Sequence, residues 1–128
     1  LAPYVRDVVL TGLNRSHIGA LLLLDFEVAG KFAPECRGDE KSLARHPGLR
    51  AELHQQLIRL ASLSTGSSNR VARALILDSA PSLDAGEITD KGSINQRMVI
   101  ETRSAEVEML YTDPVPAQVL DAAREIVI

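Results

Sequence analysis

The chain has 128 residues, 45% hydrophobic and 24% charged, a composition typical of one soluble globular domain with its own core. Its formal net charge of -3 at pH 7 gives no broad basic field to attract nucleic acid or an anionic membrane. With only 3% aromatic residues, it also lacks the rings on which bases and sugars stack. From the charge and the aromatic content we expect no nucleic-acid partner, and from the charge we expect no membrane partner.

The first quarter of the chain predicts a hairpin. Val5 to Leu10 and Ile18 to Phe26 are rich in Val, Ile and Leu, and the Gly and Asn between them tolerate a tight turn. The second segment does not alternate, which indicates a strand covered on both faces, although a buried helix would give the same pattern. Ala29 to Asp39 contains two glycines and a proline and predicts a loop.

A long helix and a further strand are predicted next. Pro47 to Ser64 places its leucines on one stripe, with Gly66 as a C-cap. Glu40 to Arg45 could add a short turn of helix before it. Val71 to Asp78 alternates as a strand does, and gives the clearest strand signal in the chain.

The last third predicts one more helix. Pro81 to Gly92 is a polar connection, and Ser93 can cap a helix from Ile94 to about Tyr111, which two prolines then end. Ala117 to Ile126 could form a short helix or a mobile tail. The sum is an α+β fold with two main helices packed on a small antiparallel sheet of about three strands. We expect residues 1–112 to form the domain and residues 113–128 the tail or short helix.

The cysteine content and the first residue suggest where the protein works and how much of it is present. Cys36 is the only cysteine, so no internal disulfide can form, and we expect a cytoplasmic protein. Because the chain begins at Leu1 rather than at Met, we expect it to be part of a longer protein.

The sequence carries no familiar catalytic or metal-binding signature. His17, His46, His54 and Cys36 do not fall at zinc-ligand spacing, so we expect no metal site. No Gly-x-Ser-x-Gly turn, Walker loop or dinucleotide fingerprint is present. Thr65 to Arg70 could cradle a phosphate, but a helix C-cap followed by a polar turn explains this composition more simply.

Lys91 is the residue of most chemical interest. It is the only lysine after Lys41, and it lies beside Gly92 in the connection before the last predicted helix. Functional groups concentrate on loops held by a rigid scaffold. On composition alone, a solvated loop lysine is the simpler interpretation.

Three segments of the chain carry a resemblance to one enzyme family. Gly86 to Arg97 reads GEITDKGSINQR, Gly66 to Leu75 reads GSSNRVARAL, and Ala2 to Gly12 reads APYVRDVVLTG, followed by Ile18 to Leu21. All resemble AMP-forming acyl- and aryl-CoA synthetases, and feruloyl-CoA synthetases in particular. The first segment is specific and the others support it.

The resemblance implies the fold of the small C-terminal domain of AMP-binding enzymes. In this family a carboxylic acid attacks the α-phosphate of ATP, with Mg²⁺, and coenzyme A then displaces AMP. The small domain closes over a large N-terminal domain, which binds most of the ATP and is absent from this chain, and rotates between the two steps. The implied partners are that domain and a small hydroxycinnamate-like or acyl carboxylic acid.

The family's late lysine contacts carboxylate and phosphate oxygens during adenylation, and the resemblance implies that Lys91 fills this role. The match departs from the usual motif, since aligning on the glycine would put Glu87 at the lysine's position and aligning on the threonine would put Ser93 there. The residues expected to support the loop are Gly86, Thr89 and Gly92.

Two further expectations concern coenzyme A and catalysis. Arg70 and Arg73 could meet the phosphates of coenzyme A, an inference from charge alone. We expect the isolated chain to be inactive, because the acid pocket and most of the ATP site belong to the absent domain. The alternative is a non-catalytic binding module that retains the fold.

Overall fold

The structure is a computed structural model that describes residues 3–12, 17–63 and 71–123. Within these ranges no helix is both long enough and apolar enough to cross a membrane. A single 3₁₀ turn covers Pro34–Cys36. The remaining elements, in chain order, are β1 (Val5–Thr11), β2 (Ile18–Leu24), α1 (Phe26–Phe32), α2 (Glu40–Arg45), α3 (Pro47–Leu63), β3 (Val71–Ile76), α4 (Gln96–Thr102), α5 (Ser104–Met109) and β4 (Val119–Asp121).

The four strands form one mixed sheet in the order β1-β2-β3-β4. β1 and β2 pair as the predicted antiparallel hairpin, which the structure confirms. β2 and β3 pair in parallel, because helices α1 to α3 carry the chain back before β3 begins. β4 then adds antiparallel to β3. The α+β class is confirmed, while the sheet has one strand more than expected and includes a parallel pair.

Both faces of β2 are covered, as the unbroken leucine run predicted. Leu22 packs in a cluster under the first three helices, and Leu21 packs in a second cluster under α4 and α5. The helix residues of the first cluster include Leu43, Leu49, Leu53 and Leu57. Those of the second cluster include Val99 and Val107, with Leu110 just after α5. The central strand therefore holds together two hydrophobic layers.

The prediction of a loop over Ala29 to Asp39 was wrong for its first four residues, which belong to α1. Residues 26–32 form α1, because the Asp25 carboxylate accepts a hydrogen bond from the Val28 N–H at 3.1 Å and caps the helix. Gly30 is buried inside this helix, where an added Cβ would come within 3.2 Å of the Arg37 side chain. The two glycines that suggested a loop have different roles. Gly30 allows close packing within α1, and Gly38, which follows the 3₁₀ turn, has a positive φ of 85°.

The single helix predicted from Ile94 to Tyr111 is divided into α4 and α5. Its cap is not Ser93 but Asn95, whose side chain accepts from the Met98 N–H at 3.2 Å. The break falls at Arg103, with φ -108° and ψ 34°. The helix predicted at Glu40 to Arg45 is confirmed, and the one predicted from Pro47 to Ser64 is confirmed as far as Leu63, beyond which residues 64–70 are not described. The strand predicted from Val71 to Asp78 is confirmed but ends at Ile76. Gly66 lies outside the described residues.

The segment from Ala117, predicted as a short helix or tail, contains β4 instead. Side chains of α3 satisfy its backbone, since Arg50 donates to the Ala117 and Gln118 carbonyls at 2.7 and 3.2 Å. His54 Nε2 donates to the Asp121 carbonyl at 2.8 Å. The donors are 67 or 68 positions away in the chain, so the pattern of Ala117 to Ile126 alone did not predict the strand. Residues 124–128 lie outside the described part of the chain.

The first core cluster can be tested by truncating one of its helix residues. Leu53 is 0% exposed, so Leu53→Ala should lower the free energy of unfolding by about 2–5 kcal/mol through lost burial and a cavity. Ile58→Ala on the same helix is the control, because Ile58 is 41% exposed and should cost less than about 1 kcal/mol. Urea denaturation of both variants measures the difference, and equal losses would contradict the assignment of this core.

Candidate functional site

Lys91 lies in the turn of a small hairpin, residues 88–94, called here the Lys91 hairpin. Ile88 and Ile94 pair across its base in an antiparallel bridge. The Thr89 N–H donates to the Ser93 carbonyl at 2.9 Å, and the Ser93 N–H donates to the Thr89 hydroxyl at 3.1 Å. Thr89 thus bonds to the other arm of the hairpin twice, and its predicted role in supporting a catalytic loop stays a prediction.

Gly92 completes the turn. Its N–H donates to the Thr89 carbonyl at 2.9 Å, and its φ of 85° is one that other residues rarely adopt. A tight turn followed by a left-handed glycine is a common way to close a three-residue hairpin loop. Arg6 of β1 donates to the Gly92 carbonyl at 2.9 Å and so fastens the hairpin to the edge of the sheet.

The Lys91 side chain is exposed, and nothing in the described part of the chain forms a hydrogen bond or ion pair with it. The geometry therefore leaves its ammonium in solvent at the end of a short, well-bonded turn. The catalytic role of Lys91 stays a prediction.

Gly86 begins the segment that leads into this hairpin. It has a φ of 77°, and its N–H donates to the Leu83 carbonyl at 3.1 Å in a turn of residues 83–86. An added Cβ would meet only the flexible Met98 side chain, at 3.8 Å, so backbone conformation rather than space favours glycine here. The next residue, Glu87, turns inward.

The buried pair of Glu87 and Arg103 fixes the base of the hairpin. The Glu87 side chain is 1% exposed, and its two carboxylate oxygens accept from Arg103 Nε at 2.8 Å and from Arg103 Nη2 at 3.0 Å. The Thr102 hydroxyl and the Ser82 N–H, the latter at 2.8 Å, donate to the same carboxylate. The Glu87 carbonyl also accepts from the Asn95 N–H at 2.8 Å. Every oxygen of this residue is thus engaged.

Arg103 extends this network to the end of β3. Its Nη1 donates to the Ser79 hydroxyl at 2.8 Å and its Nη2 donates to the Ala80 carbonyl at 3.1 Å. One guanidinium therefore joins the segment after β3, the loop before the Lys91 hairpin and the junction of α4 and α5. The sequence did not predict this pair, because the two residues are 16 positions apart and Arg103 lies outside the Gly86 to Arg97 segment that contains Glu87.

The environment strongly favours the ionised form of Glu87. Its pKa is lowered from 4.5 to about 2, chiefly because Arg103 donates hydrogen bonds to the carboxylate, with Thr102 and the Ser82 N–H adding to the effect. Burial alone would raise this pKa, so the donors outweigh the loss of solvation. Glu87 is therefore an inward-facing anchor, unlike the exposed Lys91 and Ser93.

Of the two arginines expected to meet coenzyme A, Arg70 lies outside the described residues. Arg73 is held within the domain, where Nη1 donates to the Leu110 carbonyl at 3.0 Å. Its guanidinium also pairs with Asp113 at 3.1 Å and with Asp121 at 3.4 Å. A phosphate contact by Arg73 stays a prediction, and it would require Arg73 to exchange these partners.

The described residues bring no three His, Cys, Asp or Glu side chains together in a way that could hold a metal ion. His46 bonds to Glu35 at 2.7 Å, and His54 bonds to β4. His46 also accepts from the Leu49 N–H at 3.2 Å and so caps the start of α3.

Comparisons with known proteins give a likeness of fold. No family model matches the chain, and no curated protein matches it. Among solved structures, the chain is similar to the A-PCP didomain of carboxylic acid reductase from Segniliparus rugosus, solved in complex with AMP. The TM-score is 0.56 and the identity 20%, over 86% of this chain and 14% of that one. The likeness supports the α+β fold expected from the sequence.

The Glu87–Arg103 pair predicts a specific dependence of stability on pH. Because the folded-state pKa of Glu87 is about 2 against an ordinary 4.5, its contribution is fully present above pH 4.5 and is lost as pH falls toward 2. Glu87→Gln should lower the free energy of unfolding at pH 7 by about 3 kcal/mol and flatten the curve in that window. Urea titrations at several pH values measure both effects.

Glu101→Gln is the matched control, because Glu101 makes an exposed pair with Arg97 one helical turn away. Its cost should stay below about 0.5 kcal/mol. Parallel pH profiles for the wild-type chain and Glu87→Gln would show that the buried pair does not stabilise the fold in this way.

Proposed function

We propose that this chain is the mobile C-terminal domain of an AMP-forming carboxylic acid–CoA ligase similar to feruloyl-CoA synthetases, and that Lys91 serves its adenylation step. The observation that carries the proposal is the placement of Lys91, an exposed lysine on a hairpin whose base is fixed by a buried ion pair. The motif around Lys91 and the fold likeness to a didomain solved with AMP support it.

The chemistry explains why a lysine is needed. In the first step a carboxylate oxygen attacks the α-phosphorus of ATP, a P–O bond forms, and pyrophosphate leaves. In the second step the thiol of coenzyme A loses its proton and attacks the acyl carbonyl, and AMP leaves. Both reactants of the first step are anions, and an ammonium placed between them offsets their repulsion and the charge developing on phosphoryl oxygens. Lys91 would act as a fixed charge and would not transfer a proton.

The hairpin is suited to deliver such a charge. Its turn is closed by backbone bonds, and Arg6 and the Glu87–Arg103 pair hold it on two sides. Little conformational freedom of the backbone then remains to be lost when Lys91 enters a site, which favours accurate placement. The long lysine side chain supplies the reach.

The remaining parts of the reaction would lie outside this chain. ATP, Mg²⁺ and the carboxylic acid would be bound mainly by a large N-terminal domain, which would also choose between a hydroxycinnamate and an acyl substrate. We propose a cytoplasmic location for the whole protein, based on the single cysteine of this chain. Coenzyme A would approach near Arg70, or near Arg73 after that residue exchanges its carboxylate partners.

The role of Lys91 can be tested by assaying the half-reactions of the full-length protein separately. Lys91→Ala should slow adenylate formation, followed as ATP–pyrophosphate exchange, by about 100- to 1,000-fold, because a charge that stabilises the transition state is lost. Thioester formation from supplied adenylate should change far less. Lys41→Ala removes another exposed lysine, on α2, and should leave both half-reactions unchanged.

An unaltered rate of adenylate formation in Lys91→Ala would refute the catalytic assignment. The non-catalytic binding module would then be the better interpretation of the fold. Equal thermal stability of the two variants would show that the comparison concerns chemistry rather than folding.

A further inference from the structure

A cavity of about 170 Å³ opens at the edge of the sheet where β4 begins. β4 pairs with β3 from Arg73 to Leu75, so the edge of β3 beyond Leu75 has no β4 partner there. Residues at the end of α2 and the start of α3 line one side of the cavity, and residues of α5 line another. The cavity is separate from the Lys91 hairpin, none of whose residues line it.

Two positive and two negative side chains line this cavity. Arg45 and Arg50 come from the side of α2 and α3, while Asp78 follows β3 and Glu106 belongs to α5. The cations and the anions are thus supplied by different elements. Such an arrangement suits a ligand that carries both charges.

Arg50 has further N–H donors and a positive charge that a ligand could use. It is 8% exposed, and burial lowers the pKa of its guanidinium below the usual value. Its bonds within the described ranges go to two neutral carbonyls, those of Ala117 and Gln118, and it forms no ion pair there. A guanidinium has five N–H donors, and a buried charge is normally paired. A carboxylate entering the cavity would supply the missing counter-charge.

The two carboxylates are likewise available. Neither Asp78 nor Glu106 accepts a side-chain hydrogen bond or forms an ion pair with any residue that the structure describes. Both add to the raised pKa of Arg103, after the larger effect of Glu87, so they lie within electrostatic range of that guanidinium. An ammonium group in the cavity would find two acceptors.

The rest of the lining is mostly apolar and includes Leu75, Ile76 and Met109. A cavity of about 150 Å³ lined by apolar side chains accommodates a benzene molecule, so this volume suits a small aliphatic group. Methionine adapts its shape readily to such a group.

We propose that this cavity binds a free α-amino acid with an apolar side chain. Arg45 and Arg50 would hold its carboxylate, Asp78 and Glu106 its ammonium group, and Met109 its side chain. The site is distinct from the proposed adenylation function and does not depend on it.

Isothermal titration calorimetry of the chain with L-leucine tests the proposal. We expect saturable binding of one leucine per chain. 4-Methylpentanoate lacks the ammonium group, 3-methylbutan-1-amine lacks the carboxylate, and glycine lacks the apolar side chain. Each should bind at least about tenfold more weakly than leucine, because charge-assisted hydrogen bonds or apolar contacts are lost.

Variants then locate the site. Arg45→Gln and Glu106→Gln should each weaken leucine binding about tenfold, because each removes one charge from the lining. Arg59→Gln and Glu27→Gln are the matched controls, since both residues are exposed and neither lines the cavity, and they should leave affinity unchanged. Arg50 is not substituted, because it also holds the backbone before β4.

Three results would overturn the proposal. The first is the absence of saturable leucine binding, which would mean that water fills the cavity. The second is equal affinity for leucine and 4-methylpentanoate, which would make the site a general anion site. The third is a loss of binding in the control variants as large as in Arg45→Gln and Glu106→Gln.

Discussion

A carboxylate that is almost fully removed from water must be paired, and in this domain the pairing of Glu87 with Arg103 determines where several segments lie. Arg103 also binds Ser79 and Ala80 after β3, while Glu87 binds Ser82 and, through its carbonyl, the cap of α4. The loss of either partner would leave an uncompensated charge in a dry site. The exposed Lys91 hairpin can therefore be short and still hold its position, because the buried Glu87–Arg103 pair fixes its base.

Polar side chains also join distant segments at the edge of the sheet formed by β4. β4 has three residues, too few to be stable through strand pairing alone. His54 of α3 donates to the Asp121 carbonyl of β4, and Arg50 of α3 donates to the Ala117 and Gln118 carbonyls just before it. Arg73 adds ion pairs from β3. The first hydrophobic cluster includes residues of both α3 and β4, among them Leu53 and Leu120. The fold thus combines two apolar layers with a small number of long-range polar contacts at its margins.

Elements with strong periodicity could be predicted from the sequence, and elements that depend on distant partners could not. The β1–β2 hairpin and α3 follow from apolar patterning, and so does the burial of β2 on both faces. The loop placement of Lys91 also followed from the polar stretch around it. By contrast, α1 depends on a cap at Asp25, and the break between α4 and α5 places Arg103 toward Glu87. Parallel pairing of β2 with β3 is a property of topology, which alternation within one strand does not encode.

Because β2 lies between two hydrophobic layers, one of its faces stays exposed to water while the domain is being synthesised. The hairpin and the first three helices leave the ribosome before β3, α4 and α5, and together they can cover the face of β2 that carries Leu22. The other face, which carries Leu21, stays bare until α4 and α5 have been made, and β3 must first be brought in over a long crossover. A chain that stalls or is cleaved before α4 would therefore present a row of leucines to water. Such a nascent chain would be a substrate for chaperones, and without them it would aggregate.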